Sequence, residues 1–195
     1  MARTAKITRN TKETKIALSL NLDGEGKAKI STGIGFFDHM LNLFTAHSLI
    51  DLMLDVHGDL EVDGHHTVED VGIALGTAFK EALGDKKGIH RYGHFLLPMD
   101  ETLAQTALDF SGRPYLVYHV PFPVPTTGNF DFDLINEFWQ GFVNSSSCNL
   151  HVNILQGGNG HHIAEAVFKS VARSIRMAVE MDPRQKGIPS TKGVL

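Results

Sequence analysis

Gly64-His65-His66-Thr67-Val68-Glu69 recurs 96 residues later as Gly160-His161-His162-Ile163-Ala164-Glu165, and this echo decides how the chain folds. Behind each copy runs an apolar stripe. Val71, Leu75, Ala78, Phe79 and Ala82 are answered by Val167, Val171, Ser174, Ile175 and Ala178. Spacing of i, i+3, i+4 predicts an amphipathic helix with one buried face after each motif. A second stripe, Phe37, Met40, Leu41 and Phe44, is repeated 98 residues on by Ile135, Phe138, Trp139 and Phe142. Each half therefore carries two helices.

Between the helices of each half lies a β-prone run, Ile50 to Val56 and Cys148 to Leu155. Ahead of each first helix come strand candidates at Ala5–Thr8, Lys15–Leu22 and Lys27–Ile30, then at His94–Leu97, Leu103–Phe110 and Tyr115–Val120. Gly24 and Gly26 mark one turn, Gly112 and Pro114 another. The order per half is β-β-β-α-β-α. The predicted fold is an α/β (α+β) two-layer sandwich in tandem duplication, with helices on one face of each sheet; two copies are too few for a solenoid. The polar, glycine-rich run Gly84–Gly93 sets the expected boundary, dividing residues 1–93 from 94–195. Pro121, Pro123 and Pro125 predict a rigid loop in the second half.

With 195 residues, 42% apolar and 21% charged, the chain lacks the bias of disordered or fibrous sequences. Cys148 is the lone cysteine, so neither an intrachain disulfide nor a thiolate zinc site forms, and a cytoplasmic protein is expected. The uncharged stretch Pro114–Phe130 is proline-broken and too short to span a bilayer. A net charge of −4 argues against nucleic acid or anionic membrane as partner. The charges are uneven, however. Arg113 is the only Lys or Arg between His94 and Phe168, whereas Lys169, Arg173, Arg176, Arg184, Lys186 and Lys192 crowd the tail.

Adjacent helical residues point about 100° apart, so His65 and His66 do not readily chelate one ion together, whereas an i, i+4 neighbour shares a face. Glu69 therefore joins one histidine and leaves the other to a second ion. Two such motifs predict two metals per active centre. A bland helix start with solvated histidines and a dipole-favoured glutamate explains one copy but not two in register. His39 in the first helix and Glu137, its counterpart in the second half, are further ligand candidates. Nitrogen and oxygen donors without thiolate suit Mn, Fe, Co, Ni or Zn and do not choose among them. Arg91, Arg113 and Ser190-Thr191-Lys192-Gly193 suit a phosphate, which takes forked guanidinium and short hydroxyl donors. Gly33-Ile34-Gly35 lacks the remainder of a dinucleotide fingerprint and reads as the opening of a helix.

From about Arg3 to Leu195 the constellation resembles the imidazoleglycerol-phosphate dehydratase family. The resemblance is carried by Gly35-Phe36-Phe37-Asp38-His39-Met40-Leu41, Asp63-Gly64-His65-His66-Thr67-Val68-Glu69-Asp70, Arg91-Tyr92-Gly93, Ser111-Gly112-Arg113-Pro114, Gly160 through Lys169, and Ser190-Thr191-Lys192-Gly193. It implies a duplicated fold like the second domain of ribosomal protein S5, two Mn(2+) per active site, and a homo-oligomer of twenty-four subunits with active sites between subunits. By the same resemblance His39, His65, His66, Glu69, Glu137, His161, His162 and Glu165 ligate the metals, though other members place histidine where this chain has Glu137. His47, Arg91, Arg113, Lys169, Ser190, Thr191 and Lys192 are implied to hold the phosphorylated imidazole substrate, and Glu13 to move protons with Asp100 in support. The implied reaction converts D-erythro-imidazoleglycerol phosphate to imidazoleacetol phosphate in histidine biosynthesis. Two competing readings, a metal-storage or metal-sensing protein and a metal-dependent phosphoester hydrolase, account for the histidine pairs. The former leaves the arginine and Ser-Thr-Lys set unexplained, and release of inorganic phosphate would mark the latter.

Overall fold

The computed structural model describes residues 3–195. Strands β1 (Thr4–Asn10) and β2 (Thr14–Asn21) form an antiparallel hairpin, and Ile16, Leu18 and Leu20 alternate inward along β2 at 1 to 4% exposure. Strand β3 (Ala28–Ser31) is followed by helix α1 (Gly35–Ser48), which crosses over to strand β4 (Asp51–Gly58) lying parallel to β3. The sheet order is β1-β2-β4-β3, and helix α2 (His65–Leu83) closes the half.

The second half repeats the plan. Strands β5 (Tyr92–Met99), β6 (Thr102–Asp109) and β7 (Tyr115–His119) lead to a small hairpin of β8 (Thr126–Thr127) and β9 (Phe130–Asp131). Helix α3 (Asp133–Ser146), strand β10 (Asn149–Gln156) and helix α4 (Gly160–Val179) follow. The order β5-β6-β10-β7, with β10 parallel to β7, copies the first sheet. A cut at Gly93 falls just inside β5. The β8–β9 hairpin was not foreseen; it turns at Gly128 (φ 57°) and sends Phe130 and Phe132 into the core beside Phe36.

The helices do more than cover one sheet each. α2 packs on its own sheet and against α3 of the other half, while α4 packs on the second sheet and against α1. Small residues make the first crossing possible: a Cβ on Gly72 would sit 2.3 Å from the Phe138 carbonyl oxygen, and one on Gly76 2.4 Å from that of Phe142. The expectation of one buried face per helix thus gives way to helices buried between sheet and partner helix. At the centre Trp139, fully buried, meets Phe138, Phe168 and Phe142 at ring distances of 4.6, 5.1 and 5.7 Å. This cross-half packing brings residues of α1 to the start of α4.

Candidate active site

The starts of α2 and α4 are fixed locally. Asn159 caps α4, its Oδ1 accepting the His161 amide at 2.9 Å and the His162 amide at 3.4 Å. At α2 Asp63 Oδ1 accepts the His65 amide at 2.7 Å. The rings within each pair stand nearly perpendicular, at 89° for His65 and His66 and 87° for His161 and His162. Each ring therefore serves a different neighbourhood.

His39 from α1 and His161 from α4 both place Nε2 on Glu165 Oε1, at 2.9 and 3.0 Å, and Lys169 Nζ donates to Glu165 Oε2 at 2.6 Å. Burial by itself would raise the Glu165 carboxyl, but the hydrogen bonds from Lys169, His39 and His161 hold it down at about 2. One ligand atom from each of His39, His161 and Glu165 lies within 4.8 Å of the others. Asp100, Glu101 and His162 form a second such group. There His162 Nδ1 meets Glu101 Oε2 at 2.9 Å, which raises the imidazole and holds the glutamate at about 2. Asp100 lies 3.9 Å from His162 Nε2.

In the first half His66 Nδ1 meets Asp59 at 3.0 Å, a hydrogen bond that raises its pKa, and its Nε2 lies 3.8 Å from Glu13 Oε1. His65, Glu69 and Glu137 join no convergent ligand group among the described residues. Glu137 lies one helical turn from Gly141, whose backbone abuts the Glu69 carbonyl. Two carboxylates on those facing helices lack the imidazole-carboxylate hydrogen bonds that draw His39, His161 and Glu165 together.

The basic residues occupy two places. Lys169 is bound to Glu165 and also points at the Met99 sulfur, 3.5 Å away. Burial, then Lys169 and Arg173, depress His47 on α1. Arg91 lies before β5, its guanidinium forked onto Asp109 at 2.7 and 3.1 Å and donating to the Pro189 carbonyl at 2.8 Å. This last bond draws the chain segment carrying Ser190, Thr191 and Lys192 to that end of the sheet, and Leu195 reaches the backbone of Gly112, beside the exposed Arg113. At ~3.3 Å per strand residue, β5 separates this group from the Asp100-Glu101-His162 group by roughly 23 Å. Within one chain the arginine-and-tail set and the histidine groups do not converge. Asp59, Glu101 and Asp109, which orient His66, His162 and Arg91, were missed from the sequence because they sit on turns and strand ends with no fixed spacing to their partners.

Two copies of one α/β unit, each presenting a histidine pair at the start of a helix beside carboxylates, define a duplicated α/β enzyme with mixed nitrogen and oxygen donors. Residues 32–175 match the family model described as imidazoleglycerol-phosphate dehydratase. The chain is 58% identical over 195 residues to the imidazoleglycerol-phosphate dehydratase of Citrifermentans bemidjiense and 57% identical to that of Pelobacter propionicus, covering 100% of each. It is also similar to the crystal structures of that enzyme from Staphylococcus aureus (TM-score 0.84, 37% identity, 92% of this chain and 99% of the other) and from Pyrococcus furiosus in complex with (S)-C348 (TM-score 0.84, 34% identity, 97% and 100%). The chain belongs to the imidazoleglycerol-phosphate dehydratase family. It is a hydro-lyase of histidine biosynthesis, and among the described residues no helix is long and apolar enough to cross a membrane.

Proposed function

We propose that this chain removes water from D-erythro-imidazoleglycerol phosphate with two manganese ions per active site. His39, His65, His66, Glu69, Glu137, His161, His162 and Glu165 would hold them. The observation that carries the reading is the convergence of His39, His161 and Glu165 within 4.8 Å, with a second histidine-carboxylate group at His162. Imidazole and carboxylate donors without thiolate suit divalent ions of this hardness. When bound, such ions supply Lewis-acid polarisation of the substrate's ring nitrogens.

The chain's own groups have separable tasks. The bond from the ring-adjacent carbon to its hydroxyl breaks, the next carbon loses a proton, water departs, and the resulting enol becomes the ketone of imidazoleacetol phosphate. Glu13, beside His66, takes the carbon-bound proton and returns one to the leaving hydroxyl, and Asp100 supports the opposite side from its place beside His162. Arg91, Arg113, Lys169, His47, Ser190, Thr191 and Lys192 receive the substrate and its phosphate. Of these, Arg113 is exposed and donates to the nearby Ser111 carbonyl, whereas Arg91 and Lys169 are bound to carboxylates.

The separation of tail and histidine groups along β5 supports a homo-oligomer in which one subunit's tail meets another's histidines. We take it to be a cytoplasmic particle of twenty-four subunits with active sites between them, each chain a pair of repeats, 1–93 and 94–195. The deciding experiment measures imidazoleacetol phosphate formation by metal-stripped protein before and after manganese is restored. Product that appears only on restoration is expected; full turnover by protein shown to be metal-free would overturn the metal assignment.

A further inference from the structure

The duplication provides an internal control for the two hairpins beside the histidine pairs. Their registers superpose, Asn10 opposite Lys15 in one and Pro98 opposite Leu103 in the other. This sets Glu13 against Glu101, Thr14 against Thr102, and Arg9 against Leu97, while the helix motifs set Asp70 against Ala166. In the second half that position is apolar: Leu97, Ala104 and Ala166 pack together at 8, 0 and 0% exposure. In the first half it is an ionic node. Asp70, 5% exposed, accepts Arg9 Nε at 3.0 Å and a terminal nitrogen at 2.7 Å on Oδ1, and the Thr14 hydroxyl on Oδ2.

The node reaches Glu13 through the turn. Thr11 Oγ1 accepts the amides of Thr14 and Glu13 at 2.9 and 3.1 Å, and the Glu13 carbonyl accepts the Asp59 amide at 3.1 Å. Asp59 in turn orients His66. The two glutamates differ in what their carboxylates do. Glu101 is occupied by His162 Nδ1 at 2.9 Å, the Asn159 amide at 3.0 Å and the Thr102 hydroxyl at 3.1 Å. The Glu13 carboxylate stands 3.8 Å from His66 Nε2, beyond hydrogen bonding, because Asp59 has taken over the orienting task.

A hairpin of this shape folds on an apolar seat, as the second half shows, and buried ion pairs are commonly replaceable by apolar groups without loss of stability. We propose that Asp70, with Arg9 and Thr14, is a positioning residue that holds Glu13 at the reaction centre with its carboxylate unengaged. This makes Glu13, of the two matched glutamates, the proton carrier. The inference rests on the acid-base role given to Glu13 above.

The test copies the second half into the first with the double variant Arg9→Leu, Asp70→Ala in the full-length protein. Expected are a melting temperature within about 4 °C of the parent, unchanged metal content, a KM within about twofold, and a kcat lower by about tenfold or more, as misplacement of a reacting group costs. In a Glu13→Gln background the same pair should lower kcat no further. A kcat near that of the parent, a fall matched by loss of metal and a rise in KM, or an additive fall in the Glu13→Gln background overturns the proposal. If the double variant does not fold, Thr14→Val removes one arm of the node without changing volume, and the same split between kcat and KM decides. Near-normal turnover by Glu13→Gln alone sinks the proton-carrier role and this inference together. Loss there with none in the node variants sinks the positioning role only.

Discussion

Lys169 Nζ lies 2.6 Å from Glu165 Oε2, one turn along the same helix, while the other oxygen of that carboxylate receives His39 and His161. The two oxygens thus have separate partners. The ammonium keeps the carboxylate ionised, so the oxygen shared with two imidazoles is available to a cation. Because one imidazole comes from α1 and the other from α4, the cluster also ties the two halves together.

That ionisation has a signature in metal-stripped protein. Glu165 is held at about 2 against an ordinary 4.5, so its contribution to stability is present above about 4.5 and is lost as pH falls through about 2. Urea unfolding measured from pH 5 downward should show the parent losing more stability across this window than Glu165→Gln does. Parallel curves for the two proteins would refute the pairing.

His162 and His66 owe their ring orientation to Glu101 and Asp59. Removing such an orienting carboxylate typically weakens metal binding by about 10- to 100-fold. Glu101→Gln and Asp59→Asn should therefore lose metal to a competing chelator at lower concentration than the parent, with the fold intact by circular dichroism. Retention equal to the parent's would mean that the rings need no such support.

The fold was legible because duplication writes each periodicity twice. The stripes Phe37-Met40-Leu41-Phe44 and Ile135-Phe138-Trp139-Phe142 both become helices, and the strand runs become eight paired strands in two sheets of identical order. What the sequence withheld is tertiary. Glu101 and Asp59 have no fixed spacing to their histidines, Asp70 lies inside the quoted motif but shows its task only when Arg9 folds onto it, and the β8–β9 hairpin hides in a proline-rich loop. Glu69 and Glu165 occupy matching motif positions, yet only Glu165 sits in a convergent group, because its helix faces His39 whereas α2 faces a helix that carries Glu137.

The α2–α3 crossing depends on absent side chains. A methyl at Gly72 would meet the Phe138 carbonyl oxygen at 2.3 Å, so Gly72→Ala must push the helices apart. Overpacking of this kind costs about 1–3 kcal/mol, exceeding the helix-propensity gain of about 1 kcal/mol from replacing glycine. A lower urea midpoint is expected, and a stabilised variant would contradict the close crossing.

If subunits share metal sites, chelation should shrink the particle. Light scattering before and after complete metal removal reads this directly. An unchanged large particle would count against ligation between subunits.

Arg91 and Arg113 should fail differently when changed. Arg91 is forked onto Asp109 and holds the Pro189 carbonyl, so Arg91→Lys, which cannot make both contacts, should free the following segment and speed tryptic cleavage after Lys186 or Lys192. Among the described residues the Arg113 guanidinium donates to the nearby Ser111 carbonyl alone, at 3.3 Å, and this exposed residue can turn to a phosphate. Arg113→Ala should weaken binding of phosphorylated substrate, and of inorganic phosphate, by about tenfold or more, equivalent to about 1.4 kcal/mol. Arg113→Lys should restore part of it, because a point charge replaces the fork. Calorimetric titration of both variants distinguishes the roles. Substrate affinity within about twofold of the parent for Arg113→Ala, about 0.4 kcal/mol, would remove Arg113 from the phosphate site and leave the Ser190–Lys192 segment to carry it.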